Sequence, residues 1–417
     1  MTTPIRNLPV MQNWDCHSCS DCCRIEAVIT AEEKDRIEAL DLANDPEVGA
    51  RPWFAPVGGG SKNWKLRHRP DGACVFLTTA NRCRIQERFG AAAKPFVCRL
   101  FPFVLIPAGN HWRAGISFSC PSSAANRGRP MAAAEADLEN LSRLLERHVG
   151  RSAASAQPPL MQDGQRLPWP DVLRVVQVLV EIVQDRSDRV ERRLRTCLAV
   201  ARVCGRAKLD GLKGDRLSDF LQAVRKNVDA DVPRDPADLP PPDRLLGKFL
   251  FRAFLAIYAR RDRDVERAAG LRNRLGRVYA GWRFVKGRGR VPRVNDFLPV
   301  TSFEEVERRG GTPAEMDETL ERYFVVKLSS MQFCGPPNFG LPFWAGLESL
   351  VLTMPMILWL SRTWNDLPPA ERVQRAIQLV DDHFGGNPML GFPHIQYLLR
   401  TMGQLGELEK LVAWYSR

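Results

Sequence analysis

Between Trp14 and Cys23 the chain reads Trp-Asp-Cys-His-Ser-Cys-Ser-Asp-Cys-Cys, which places cysteines at 16, 19, 22 and 23. Cys74, Cys83, Cys98 and Cys120 follow, so eight of the 11 cysteines lie in the first 120 residues and the other 297 residues hold three. A cysteine used as a small buried hydrophobe has no reason to cluster in this way. Thiolates two residues apart along a turn can converge on one ion or cluster. A segment tied by such bonds needs little apolar core, because metal–thiolate bonds become part of its folding energy. The first 130 residues are therefore expected to form a small, loop-rich unit stapled by metal, with all eight cysteines as candidate ligands.

The C-x2-C-x2-C opening has the spacing by which a loop delivers three thiolates to a [4Fe–4S] cluster. A fourth ligand then comes from a distant cysteine. Cys98, in Lys94-Pro-Phe-Val-Cys-Arg-Leu-Phe-Pro102, and Cys120, directly before Pro121, are both candidates. Zinc would use the same thiolates in closed tetrahedral sites; the ferredoxin-like triplet favours an iron–sulfur cluster. On an extended backbone the adjacent Cys22 and Cys23 point in different directions and would serve different ions. Eight cysteines allow two four-ligand sites, or one cluster with spare structural thiols. His17, inside the knot, is read as facing solvent, and Asp15 and Asp21 as solvated loop carboxylates. Cys197 and Cys204, seven apart on one face of an expected helix, and Cys334 are read as buried structural thiols.

The motifs Cys16-x2-Cys19-x2-Cys22-Cys23, Cys74-Val-Phe-Leu77, Cys83-Arg-Ile-Gln86, Lys94-Pro-Phe-Val-Cys98-Arg-Leu-Phe-Pro-Phe103 and Ser119-Cys-Pro121 occur in that order. Together they resemble the YkgJ-type CxxCxxCC zinc- or iron-chelating cysteine-cluster family. Cys-Arg-Ile-Gln, Cys-Arg-x-x-Pro and Ser-Cys-Pro, with a looser likeness around Glu321-Arg-Tyr-Phe-Val-Val-Lys327, are also similar to flagellin lysine N-methylases. Those are proteins of about this length, with an N-terminal cysteine cluster and a helical remainder. The first resemblance implies metal chelation. The second implies S-adenosylmethionine as a cofactor and a protein substrate whose lysines are methylated. No residue is identified as catalytic or as binding that cofactor. Gly58-Gly-Gly60 lacks a preceding strand and a following helix and reads as a loop. The C-x3-C-x2-C spacing of radical S-adenosylmethionine enzymes is absent.

After residue 130 the pattern changes to helix after helix. Helices are expected at 131–149, 169–185, 187–206, 215–227, 242–260, 263–282, 313–330, 341–363, 368–384 and 391–415, the last broken near Gly403. Upstream, Thr30-Ala-Glu-Glu33 is a capping box opening a short helix, and Asp45 to Gly60 reads as loop. Hairpins are expected around Arg69-Pro-Asp-Gly72 and across Pro107-Ala-Gly-Asn110. The expectation is a mainly α protein: an α+β cysteine module over residues 1–130, packed on a larger all-helical domain over 131–417.

A net charge of +12 comes from 60 basic residues, 49 of them arginine. No basic run interleaved with aromatics marks a nucleic-acid module. The N-terminus lacks the apolar core of a signal peptide, so a cytoplasmic protein with reduced cysteines is expected. Phe343 to Leu360 is apolar but contains Glu348 and Pro355, and reads as a buried core helix, not a membrane span. Two functions follow: a metal protein with a redox, sensing or scaffold role, or a protein lysine methyltransferase. A cleft between the two parts able to hold an adenosyl group would favour the enzyme.

Overall fold

The capping box forms as its residues dictate. The Thr30 hydroxyl accepts the Glu33 N–H at 3.2 Å, and the Glu33 carboxylate accepts the Thr30 N–H at 3.1 Å. The computed structural model describes residues 3–58, 60–149, 155–162, 164–260, 271–295 and 297–417. Gly59 of the triglycine stretch and the first residues of the helix expected at 263–282 lie outside them.

The N-terminal part begins with β1 (Ile5–Arg6), β2 (Asn13–Trp14), β3 (Val28–Ile29) and α1 (Ala31–Glu38). It continues through β4 (Phe54–Pro56), β5 (Trp64–Leu66), α2 (Arg84–Phe89), α3 (Phe96–Leu100), β6 (Phe103–Pro107) and β7 (Trp112–Ile116). The turn at Arg69–Gly72 is present, closed by Gly72 N–H to the Arg69 carbonyl at 2.8 Å. The chain folds back antiparallel across it, with Arg69 N–H to the Ala73 carbonyl at 2.7 Å and Val75 N–H to the Arg67 carbonyl at 3.2 Å, but the pairing is a single bridge, His68–Cys74, beyond the end of the expected strand. Trp64–Leu66 is instead the central strand of a sheet ordered β3-β5-β4. A three-residue strand gains more from two neighbours than from one, and β4 supplies the second inside the stretch expected as loop. The hairpin across Pro107–Asn110 is as expected: β6 and β7 pair antiparallel from Phe103–Ile116 to Pro107–Trp112. β1 adds in parallel on the far side of β7.

Past Cys120 come α4 (Pro121–Ala124), β8 (Arg129–Pro130) and α5 (Glu135–Val149), then a small hairpin of β9 (Leu160–Gln162) and β10 (Gln165–Arg166). This hairpin interrupts what was expected to be purely helical. The helices α6 (Trp169–Gln184), α7 (Val190–Cys204), α8 (Asp215–Asp231), α9 (Leu250–Tyr258) and α10 (Leu271–Lys286) follow. The chain ends with α11 (Phe303–Arg308), α12 (Asp317–Ser329), α13 (Phe343–Ser361), α14 (Pro369–His383), α15 (Pro393–Gln404) and α16 (Glu407–Ser416). Nearly every expected helix is found within a few residues. α11 is an addition, capped by Ser302, whose hydroxyl accepts the Glu305 N–H.

α13 organises this part. Every residue from Phe343 to Ser361 except Glu348 is buried. A helix apolar all round belongs in a core or a bilayer. The stretch Phe343–Trp364 is long and apolar enough to cross a membrane, but 94% of its apolar window is packed inside the protein. It is a core helix.

Two separate apolar clusters result. The larger runs from Ile5 to Tyr415 and takes in β1, β6 and β7 (Phe103, Leu105, Trp112, Ile116) together with the helices. The smaller is built only from residues between Ala27 and Ile85. The sequence suggests one break at residue 130. The packing instead sets a small core of residues 27–85 beside a large one that the second hairpin has joined.

Candidate metal centre

The knot is bent by its serines. Ser18 and Ser20 lie in the left-handed region, with φ of 52° and 63°, a conformation that non-glycine residues hold at a cost of order 1–3 kcal/mol and that recurs at ligand sites. A single 3-10 turn, Asp21–Arg24, then carries Cys22 and Cys23.

Four of the eight cysteines gather on the small core. Cys74 is buried within it, and Cys23, Cys83 and Cys98 pack against it. The backbone explains how. The Cys74 N–H donates to the Cys23 carbonyl at 2.7 Å, tying the knot to the turn after Gly72. Cys83 caps α2 and is bridged to Leu77. Cys98 lies on α3, whose first free N–H, that of Phe96, donates to the Glu33 carboxylate at 2.6 Å. The capping glutamate of α1 therefore also sets the start of α3. Burial pushes the Cys74 thiol up to about 12, and the neighbouring Cys98 and Cys83 thiols add to the rise. Burial likewise raises Cys98 to about 12, with Cys83 and Cys22 adding and Lys94 opposing.

The remaining four lie outside that cluster. Cys120 is buried and caps α4. Cys16, Cys19 and Cys22 are exposed as residues. Even so, burial of its sulfur raises Cys19 to about 11, and the Cys120 and Cys22 thiols act on it through space. Cys22 stands between the two groups. A thiol–thiol hydrogen bond with Cys23, then burial, holds it far above the ordinary range.

His17 is exposed, as expected, but its Nδ1 lies 2.9 Å from the Asp15 carbonyl and 3.0 Å from the Ser122 hydroxyl, against α4. Asp15 is no free loop carboxylate. It pairs with Arg129 at 2.9 Å, and that hydrogen bond holds its carboxyl below the usual range. Cys197, Cys204 and Cys334 are buried among the helices, where burial alone raises Cys204 to about 12. They take no part in either group.

The donor set fits a soft or borderline metal. It is thiols only, all of them free of disulfides, and those of Cys19, Cys22, Cys74 and Cys98 are raised by burial or by neighbouring thiols, a preference for the neutral form that a bound cation would reverse. Among the described residues no three His, Cys, Asp or Glu side chains meet at ion-holding distance. The thiols are neighbours, not a closed coordination sphere. Two clefts stand out among the described residues. One of about 240 Å³ is enclosed by Asp185, Asp188, Arg192, Arg225 and Asp229. The other, about 570 Å³, opens beside Arg24, Arg69, Asp71 and Thr78.

Nothing in the sequence pattern marks Arg322, Lys327 or Asp381 beyond charges set in apolar helical runs, yet all three are buried and hold the segment around Cys120.

Residues 15–121 match the model of the CxxCxxCC zinc- or iron-chelating domain. The match takes in all eight clustered cysteines and stops before α5, so the N-terminal part of this chain is of the zinc- or iron-chelating kind. No curated protein and no solved structure gives a significant match. The likeness to flagellin lysine N-methylases is therefore not supported.

Proposed function

We propose that the N-terminal part is a structural metal centre in which Cys23, Cys74, Cys83 and Cys98 supply four thiolates to one iron–sulfur cluster or zinc ion. The observation that carries this reading is their common seat: four cysteines from four separate segments pack on one small apolar cluster. A core drawn only from residues 27–85 is too small to hold four loops in place by apolar burial alone. Metal–thiolate bonds between segments distant in sequence would supply the missing constraint. The role is that of a scaffold that holds the segments of the small core together. The lysine-methyltransferase alternative, with its need for S-adenosylmethionine, finds no support among known proteins.

Iron, acid-labile sulfide and zinc per chain, measured on anaerobically purified protein with its visible spectrum, test the proposal. Iron and sulfide in equal amounts, with broad absorption near 400 nm, are expected. Zinc without colour would make the centre a tetrahedral staple. A chain purified without either metal, and taking up none on reconstitution, would overturn the reading.

A further inference from the structure

Cys120 differs from the other seven clustered cysteines in what holds it. Two residues upstream, Phe118 is fully buried against Tyr323 of α12, ring centroids 5.1 Å apart. The cations of Arg322 and Lys327 lie 5.3 and 6.0 Å from its ring. The Phe118 N–H donates to Asp381 Oδ2 on α14 at 2.6 Å, and the Ser117 hydroxyl donates to the same oxygen at 3.1 Å. The other carboxylate oxygen, Oδ1, pairs with Lys327 Nζ at 2.5 Å, with both side chains almost wholly buried. Downstream, Arg322 donates to the Ser123 and Ala124 carbonyls at 2.8 and 2.6 Å, at the buried C-terminal end of the short helix that Cys120 begins.

The knot is brought to the same place. Arg322 also donates to the Gln12 side-chain oxygen at 2.8 Å, and Gln12 in turn donates to the Ser123 carbonyl at 3.2 Å. The Asn13 N–H donates to Asn126 Oδ1 at 2.7 Å, and the Asp15 N–H to the Arg127 carbonyl at 3.1 Å. Residues 12 to 17 thus lie along α4, and the knot that follows starts beside Cys120.

We infer that Asp381 is a positioning residue for a second metal site shared between the two cores, in which Cys120, held by α12 and α14, joins Cys16, Cys19 and Cys22 of the knot. The inference rests on the proposed chelating function and assigns the four cysteines that the small core does not seat. The order of ligands, a C-x2-C-x2-C triplet closed by a distant Cys-Pro, suits one cluster or ion. Asp381 touches no ligand. It fixes the two residues before Cys120 with one oxygen, while Lys327 holds the other. Metal bound at this site would register the knot against the helices, whereas metal at Cys23, Cys74, Cys83 and Cys98 would act inside the small core alone.

Cobalt(II) titration of the metal-free full chain, followed by the thiolate charge-transfer and d–d bands, separates the two sites. Cys98→Ser should remove one class of cobalt and Cys120→Ser the other. Asp381→Asn should weaken only the class lost in Cys120→Ser, by several-fold or more, and alter its d–d bands at saturation. Glu321→Gln is the control: Glu321 is buried on the same α12 but pairs with Arg186 and Arg193, away from Cys120. It should lower stability and leave the cobalt spectrum unchanged. If Asp381→Asn does not fold, Ser117→Ala removes one of its hydrogen bonds without stranding the Lys327 charge, and should weaken the same class several-fold. Wild-type affinity in a folded Asp381→Asn or Ser117→Ala chain overturns the positioning role. Unchanged cobalt in Cys120→Ser overturns the shared site while leaving the first intact. No cobalt lost in Cys98→Ser sinks the proposed function itself.

Discussion

The two apolar cores solve the same problem by different means. The large one is led by α13, a nineteen-residue helix in which every residue but Glu348 is buried, and at about 25 cal/mol per Å² of apolar surface its burial needs no metal to hold it. It contains Cys197, Cys204 and Cys334, all buried and none near another clustered thiol. The small core gathers short strands and single-turn helices around Trp53, Phe54 and Phe76. Four of its neighbouring or member side chains are thiols, and burial raises two of them, Cys74 and Cys98, to about 12. Cysteines are concentrated where apolar packing is thin and scattered where it is ample. Cys120 belongs to neither cluster, though Phe118, two residues before it, lies in the large one.

The largest expected effect separates the cores directly. Chelation of the metal should release the Cys74 and Leu66 amides, bonded to the Cys23 and Ala27 carbonyls, to rapid hydrogen exchange, while α13 amides keep their protection. Equal loss in both regions, or in neither, would break the comparison.

A smaller effect belongs to the large core alone. Burial raises the Glu348 carboxyl from 4.5 to about 7, with Arg400 and Arg202 opposing. Because the folded value lies above the unfolded one, the stabilisation of the neutral form is complete below about pH 4.5 and disappears as pH rises through 7. Glu348→Gln should abolish that fall, a difference on the order of 3 kcal/mol between pH 4 and 8 in urea melts. A metal-loaded chain whose stability falls just as steeply with Gln at this position would show that the pH dependence arises elsewhere.

The smallest test sits in the small core. Thr30→Ala removes the capping box on α1 and should cost about 1 kcal/mol, and more in cobalt affinity at the Cys98 site than at the Cys120 site, because Glu33 also holds the start of α3. Equal loss at both sites would show that the cores are less independent than their packing implies.

Much of this was legible in the residues themselves. The capping box, the Pro107–Asn110 hairpin, the succession of helices and the buried character of Phe343–Leu360 follow from local propensity and apolar periodicity, which act over a few residues at a time. The chelating character of residues 15–121 follows likewise from the number and spacing of the cysteines. The tertiary structure alone decided which strand Trp64–Leu66 pairs with, since β3, β4 and Ala73–Leu77 offer similar short partners. It also decided that the second hairpin joins the helices. It alone sorted the thiols into a group on the small core and a group facing α4, because proximity between residues 23, 74, 83 and 98 is set by packing, not by spacing along the chain. The roles of Arg322, Lys327 and Asp381 were invisible for the same reason. A charge within a helical run carries no sign of being buried until the partner that neutralises it, more than fifty residues away for Lys327 and Asp381, is folded against it.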